Sequence, residues 1–233
     1  IKAILPVKGF GENEFVVMVT KNGTIKKTSL SEFKNVRTSG LIALSIKSED
    51  ELVSAKLTDG TKDIFLCSNK GKSIRFNESD VRKMGRAARG VNAMTLGSDA
   101  NIVAMEVLNP ASSTNEFEVL TITEGGYGKR TPVTEYRVQS RGGKGIITMK
   151  INDRNKDVIA TCQVLPKDDV MIVSNKGQMI RINIGEVSTQ GRNTQGVRVM
   201  TMSHNEKVVS LEYIAENNGL SPKSNGSTDE NQE

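Results

Sequence analysis

The chain has 233 residues and a formal net charge of +5, with 36% apolar residues, 4% aromatics and no Trp. That is enough chain for a real core, but one spread over many small units sooner than gathered into a single thick one. No run approaches the ~18 apolar residues of a membrane span and no signal peptide is visible. Cys67 and Cys162 stand far apart in apolar runs and His204 is the sole histidine. Neither a zinc cluster nor a cysteine–histidine nucleophile can be assembled from these, and the two cysteines read as buried thiols of a reducing compartment.

In chain order, the opening Ile1–Val7 (IKAILPV) reads as the closing strand of a repeat lying upstream. This gives a partial blade over residues 1–13 and, with no initiator Met, a fragment of a longer protein. Four copies of one plan follow, at about 14–60, 61–112, 113–166 and 167–215. Each opens with an apolar strand: Phe15–Thr20, Asp63–Ser68, Phe117–Thr123 and Val170–Ser174. Each strand runs into a turn, Asn22-Gly23, Lys70-Gly71, Gly125-Gly126 and Lys176-Gly177, where glycine supplies the positive φ of a two-residue hairpin. Four residues beyond that glycine stands a cation, Lys27, Arg75, Arg130 or Arg181, preceded in two copies by Lys26 or Lys129.

A second element follows in every copy: Arg37–Ile42 (RTSGLI), Arg86–Val91 (RAARGV), Arg141–Ile146 (RGGKGI) and Arg192–Val197 (RNTQGV). Aligning the leading arginines sets Leu41 where the other copies have Gly90, Gly145 and Gly196, which weakens a ligand role for Arg37. Each copy ends in a further strand, around Val53, Val103, Ile159 and Val209. Short turns at 29–34 and 78–83 can be helical, but no amphipathic helix of ordinary length appears. About 50 residues and four strands per unit make a blade, and the chain reads as all-β and propeller-like, with a β-sandwich array as the structural alternative. After the repeats, residues 216–233 carry four acidic side chains against Lys223, a net of −3, which leaves +8 on residues 1–215. Such an end reads as a disordered, polar, acidic tail, and the basic body as a binder of polyanions.

Recurrence puts Arg and Lys at regular intervals along one edge of stacked blades, as holding a curved phosphate backbone requires. Glycines between the charges let the loop approach phosphates and offer N–H groups. Such contacts position DNA without reading bases. The candidate contacts are Arg86, Arg89, Gln139, Arg141, Gly142, Gly143, Lys144, Gly145 and Arg192 in the loops. Beside the hairpins they are Lys26, Lys27, Arg75, Lys129, Arg130 and Arg181. A competing class is a propeller serving protein–protein contact, which predicts weak DNA binding insensitive to salt.

Gly71-Lys72-Ser73 resembles the end of a P-loop, but Leu66 stands where the first glycine is needed. Tyr127 and Tyr136 read as packing residues. Asp168-Asp169 reads as a solvated turn, and no carboxylates converge on a metal.

The run Gln139-Ser140-Arg141-Gly142-Gly143-Lys144-Gly145 resembles the gyrase A box, Q-R-R-G-G-(K/R)-G, with Ser140 in place of Arg. Gly126–Pro132, Glu135-Tyr136-Arg137 and Gly191–Val197 also look like the C-terminal domain of the bacterial DNA gyrase A protein. The resemblance spans residues 1–215. It implies a β-pinwheel whose blades exchange strands and which wraps double-stranded DNA with positive handedness, so that an A2B2 complex with the gyrase B protein supercoils negatively. It also implies a bacterial cytoplasmic, nucleoid-associated protein, with no catalytic residue and no cofactor in this domain, ATP and Mg being used elsewhere in the holoenzyme. The isolated domain is expected to be monomeric. The corresponding domain of the topoisomerase IV A protein, which binds DNA but wraps it less effectively, is the alternative. In that family the box belongs to the first blade, so the match at Gln139 implies a secondary copy, with the full box upstream of Ile1.

Overall fold

The computed structural model describes residues 1–110 and 117–214. The acidic tail expected at 216–233 lies outside the described residues. All regular structure in the described chain is β apart from four single turns of 3-10 helix.

The first blade contains β1 (Phe15–Thr20), β2 (Thr24–Ser29) and β3 (Leu52–Thr58), and the second β4 (Asp63–Ser68), β5 (Lys72–Asn77) and β7 (Ile102–Leu108). The third contains β8 (Glu118–Thr123), β9 (Tyr127–Pro132) and β11 (Val158–Val164), and the fourth β12 (Asp169–Ser174), β13 (Met179–Asn183) and β15 (Val208–Ile214). A fourth strand reaches each of the first three blades from the repeat that follows. β6 (Val91–Asn92) pairs with β2, β10 (Ile146–Ile147) with β5, and β14 (Val197–Arg198) with β9. The described fourth sheet keeps three strands, in the order β13-β12-β15. Ile1–Val7 forms no strand, and Ile1 and Ile4 are exposed. A lone strand without a host sheet leaves its ladder unmade.

The apolar strands show why blades need one another. On β4, Ile64 and Leu66 pack toward the first blade, with Val17, Val19 and Ile25, while Phe65 and Cys67 pack toward the third, with Val119, Tyr127 and Tyr136. A strand buried on both faces reads as an unbroken apolar run instead of alternating, as Ile64–Cys67 does. The same division on β8 sends Val119 to one core and Leu120 and Ile122 to the next. Phe65 and Tyr136 meet edge to face with centroids 5.0 Å apart, so Tyr136 sits in a core. Its hydroxyl shares a 2.6 Å hydrogen bond with Thr148, and burial raises its pKa. Burial likewise pushes the Cys67 and Cys162 thiols up to about 12. Asp168 is buried, accepting the Leu165 N–H at 2.6 Å, and is not the solvated turn residue the sequence implied.

Candidate nucleic-acid interface

The two families of basic side chains separate cleanly once the blades are assembled. Beside the hairpins, three of the four cations that follow the turn face an acid at the start of the preceding strand, while Lys27, whose preceding strand begins with Phe15, has Glu78 of the next repeat at 3.7 Å. Arg75 lies 2.8 Å from Asp63, Arg130 2.6 Å from Glu118 and Arg181 2.5 Å from Asp169. Register accounts for it, because Phe65 is opposite Arg75 and Leu120 opposite Arg130, two residues from the acid on the same face. The first three of these cations also reach into the next repeat. Lys27 donates to the Glu78 carbonyl at 2.8 Å, Arg75 to the Val133 carbonyl at 3.2 Å and Arg130 to the Val187 carbonyl at 2.6 Å.

Lys26 and Lys129 lie deeper. The Lys26 ammonium donates to the carbonyls of Ala43 and Arg86, and burial lowers its pKa. The Lys129 ammonium donates to the carbonyls of Gly191 and Arg192, each at 2.6 Å, and to the Thr194 hydroxyl. Burial, aided by the neighbouring Arg192, pushes its pKa down to about 8 against the pull of Glu135. Lys26, Lys27 and Lys129 are buried, and Arg75 and Arg130 nearly so. They are therefore not the rim contacts read from the sequence. They tie each incoming exchange loop to the blade that receives it. A charge in such a position is retained only when acceptors satisfy it. Arg181 alone among the hairpin cations is exposed.

The loops that lead into β6, β10 and β14 differ. Arg89 and Lys144 point to solvent, and Arg86, Arg141 and Arg192 are half-buried. Arg141 lies across the seam between two blades, its Nε on the Asp80 carbonyl and its Nη1 on the Asn92 carbonyl, both at 2.8 Å. Arg192 repeats half of this one blade on, with Nη1 on the Ile147 carbonyl at 2.9 Å. Its Nε is buried without a hydrogen-bond partner. The Gln139 amide N–H donates to the Arg75 carbonyl at 2.8 Å, which pins the start of the loop. Thr95 closes the other side, its hydroxyl on the Gly142 carbonyl at 2.7 Å and its N–H on the Gly143 carbonyl at 2.9 Å.

The glycines of the loop are not alike. A Cβ on Gly145 would fall 2.4 Å from the Ser73 carbonyl oxygen, whereas the nearest atoms to one on Gly142 or Gly143 are 3.6 Å away. Gly145 is thus demanded by the crossing of two strands, while Gly142 and Gly143 keep an open backbone at the surface. In the first copy, Gly40 takes this left-handed conformation, with φ 78°, beside 98° at Gly90, 69° at Gly145 and 75° at Gly196. The first loop is one residue shorter than the alignment by arginines suggested, and Leu41 does not replace the glycine.

Exposed cations that the repeat comparison passed over are Lys34, Arg82 and Arg137, at the same place after the 3-10 turn in the first three copies. Counting four residues from the first residue of each turn (Leu30, Glu78, Val133) would have found them. Near the β8–β9 turn, Arg154 and Arg198 stand over the Tyr127 ring at 4.9 and 5.8 Å, and Arg198 donates to the Tyr127 hydroxyl at 3.3 Å. That hydrogen bond lowers the tyrosine pKa. Among the described residues no His, Cys, Asp or Glu group could hold a metal, and no helix is long and apolar enough to cross a membrane.

Comparison with known proteins agrees with this architecture. The profile for "DNA gyrase C-terminal domain, beta-propeller" matches residues 14–59, 62–109, 118–166 and 168–215. The DNA gyrase A protein of Haemophilus influenzae is 40% identical over 93% of this chain and 27% of its own length. That of Pseudomonas aeruginosa is 44% identical over 88% of this chain and 22% of its own. The chain thus spans about a quarter of the length of these relatives. Among solved structures, a DNA gyrase A C-terminal domain superposes with a TM-score of 0.79 at 25% identity, covering 90% of this chain and 68% of that one. The C-terminal domain of a DNA topoisomerase IV gives 0.83, also at 25% identity, over 90% and 64%. With its four blades matched by one profile and its length by gyrase A proteins, the chain belongs to the DNA gyrase C-terminal domain family.

Proposed function

We propose that this chain binds double-stranded DNA along the outer edge of its blades without sequence preference, bends it with positive handedness, and serves a gyrase A2B2 enzyme by presenting the bent segment for strand passage. One observation carries the reading. The exchange loops of successive repeats are built alike at successive blade seams, and each seam presents Arg or Lys at the surface, including Arg89, Lys144, Arg82 and Arg137. Evenly spaced cations on a curved support neutralise a bent backbone more fully than a straight one. Their release of counterions offsets a bending cost of order 1–6 kcal/mol over ~20–30 bp. Catalysis and ATP use then belong to other parts of the enzyme, in the bacterial nucleoid.

The experiment is ligation of nicked circular plasmid in the presence of increasing protein, read as a change in linking number. A positive shift is expected. Binding by gel shift with little or no linking change would favour the second reading, a topoisomerase IV-type domain that binds DNA but wraps it less effectively. The closer superposition on that domain speaks for this alternative. The gyrase reading is supported by the box at Gln139–Gly145 and by the 40–44% identity to gyrase A proteins.

A further inference from the structure

Cations around the hairpin turns are mostly matched by acids. Lys21 lies 3.4 Å from Glu51, Lys70 2.9 Å from Asp157 and Lys207 3.2 Å from Glu124. The group at the β8–β9 turn is different. Arg154, Lys156 and Arg198 are exposed, and none of them forms an ion pair among the described residues. They line one cleft with Tyr127, His204 and Asn205. Glu206, the carboxylate in its wall, is buried and already taken, accepting from the Ser174 hydroxyl at 2.5 Å and the Ser203 N–H at 2.9 Å. The group lies inside the array, on a blade with a neighbour on each side.

Register sets this blade apart. The residue after the turn glycine faces the exchanged strand, and the pairs are Thr24 with Asn92, Lys72 with Ile147 and Tyr127 with Arg198. Of the three, the third alone sets a cation across from an aromatic ring. Arg154 reaches the same ring from the β10–β11 loop, and the ring's negative face offsets the repulsion between the two guanidinium groups. Their side-chain hydrogen bonds go to neutral oxygens, Arg154 to the Gln195 side-chain carbonyl at 2.8 Å and Arg198 to the Tyr127 hydroxyl. Positive charge is gathered here without being neutralised, which favours an anion.

The loop that carries two of these cations is held rigidly. The buried Asn155 side chain donates to the carbonyls of Lys150 at 2.9 Å and Gln195 at 3.2 Å, and accepts the Asn152 N–H at 2.8 Å. A Cβ on Gly125 would fall 2.6 Å from the Arg154 carbonyl oxygen, so turn and loop meet backbone to backbone. Lys156 takes a left-handed backbone, φ 60°, and Asn205 another, φ 56°. They are the two non-glycine residues to do so among the described residues, and both line the cleft. Such a conformation at lysine persists only where the surroundings impose it, and it gathers at ligand clamps.

We propose that this cleft clamps one phosphate of the bound duplex between Arg154 and Arg198, with Lys156 beside it, so that the DNA surface extends from the exchange loops onto the turn end of the third blade. Guanidinium forks suit a phosphate diester, which offers two charged oxygens. Gln195 joins the two places, since it lies in the exchange loop that enters β14 and accepts the Arg154 hydrogen bond. The inference rests on DNA binding by this chain. It adds a contact that belongs neither to the box nor to the repeated cation positions.

The test measures affinity of the 233-residue chain for a linear duplex across a salt series. Arg154→Gln with Arg198→Gln should make the slope of log affinity against log salt shallower by about 0.9, the share of one phosphate, with the urea midpoint unchanged. Arg154→Lys with Arg198→Lys keeps the charge and should restore the slope. A slope equal to wild type in the glutamine variant would overturn the proposal. So would a loss of affinity that is the same at every salt concentration, because that marks a damaged loop and not a missing phosphate contact. The control is Arg89→Ala with Lys144→Ala: a changed slope there beside an unchanged one here removes this site alone. Salt-insensitive binding by the wild-type chain would remove the DNA reading and this site with it.

Discussion

Arg130 and Lys144 come from equally regular positions of the repeat, yet the structure sets them in opposite environments. The Arg130 side chain is 11% exposed, with Glu118 at 2.6 Å and the Val187 carbonyl on its Nε. Lys144 stands at the surface of the loop that enters the next blade. The hairpin cation holds the array together; the loop cation is free to meet a ligand. Regular spacing of charge thus marks two different demands of the same repeat, and only burial separates them. The fourth blade supplies an internal control, because Arg181 has the hairpin position and its acid but stays exposed.

Breaking the buried member should have the largest effect. Arg130→Ala leaves Glu118 uncompensated at a blade seam and should lower stability by about 3–5 kcal/mol, measured by urea denaturation. Lys129→Met is expected to cost about 1–3 kcal/mol by the same measurement, since two carbonyls lose their donor. The same lysine gives a pH signature. Its native pKa of about 8 lies below the 10.5 of the unfolded chain, so the unfolded state holds the proton longer. The penalty for burying the charge is present in full below pH 8, and the contribution of Lys129 to stability should rise as pH goes from about 8 to 10.5, against the loss that the raised Cys67 and Cys162 thiols bring above about 9. The stability difference between wild type and Lys129→Met should therefore shift in favour of wild type across this window, and a difference independent of pH would count against the buried-charge account.

The loop cations should behave in reverse. Arg89→Ala with Lys144→Ala should leave the denaturation midpoint in place while weakening DNA binding. The slope of log affinity against log salt should fall by about 2, about 0.9 for each phosphate no longer neutralised. An unchanged slope would remove these two side chains from the interface. The smallest effect is expected from Arg181→Ala, about 0–1 kcal/mol, because the pair it breaks is screened by solvent. A loss as large as that of Arg130→Ala would show the comparison between blades to be misdrawn.

Much of the architecture was legible because the signals are local. Strands β1 and β4 occupy the residues that their apolar runs and turn glycines marked, and β8 and β12 differ from theirs by one residue. The same locality misled at both ends of the repeat. Ile1–Val7 has the composition of a closing strand but pairs with no strand, Leu5 packing on the first blade instead, and Gly40 was hidden by one missing residue in its loop. The box at Gln139–Gly145 was visible as a motif, but its division of labour was not. Arg141 spans two blades, Gly145 makes room for a crossing strand, and Lys144 alone of the box cations is left to solvent.

By itself, the sequence determined the repeat, the hairpins, the excess of positive charge and the family, because period, turn glycines and charge are properties of residues near one another in the chain. Only the tertiary structure decided which cations are interior ties and which are surface groups. It also decided that each of the first three blades is completed by a strand from its successor. Those outcomes depend on which carbonyls and carboxylates arrive from 50 or more residues away, as Glu78 does at Lys27 and Val187 at Arg130. A charge is stable inside a protein only where such partners converge.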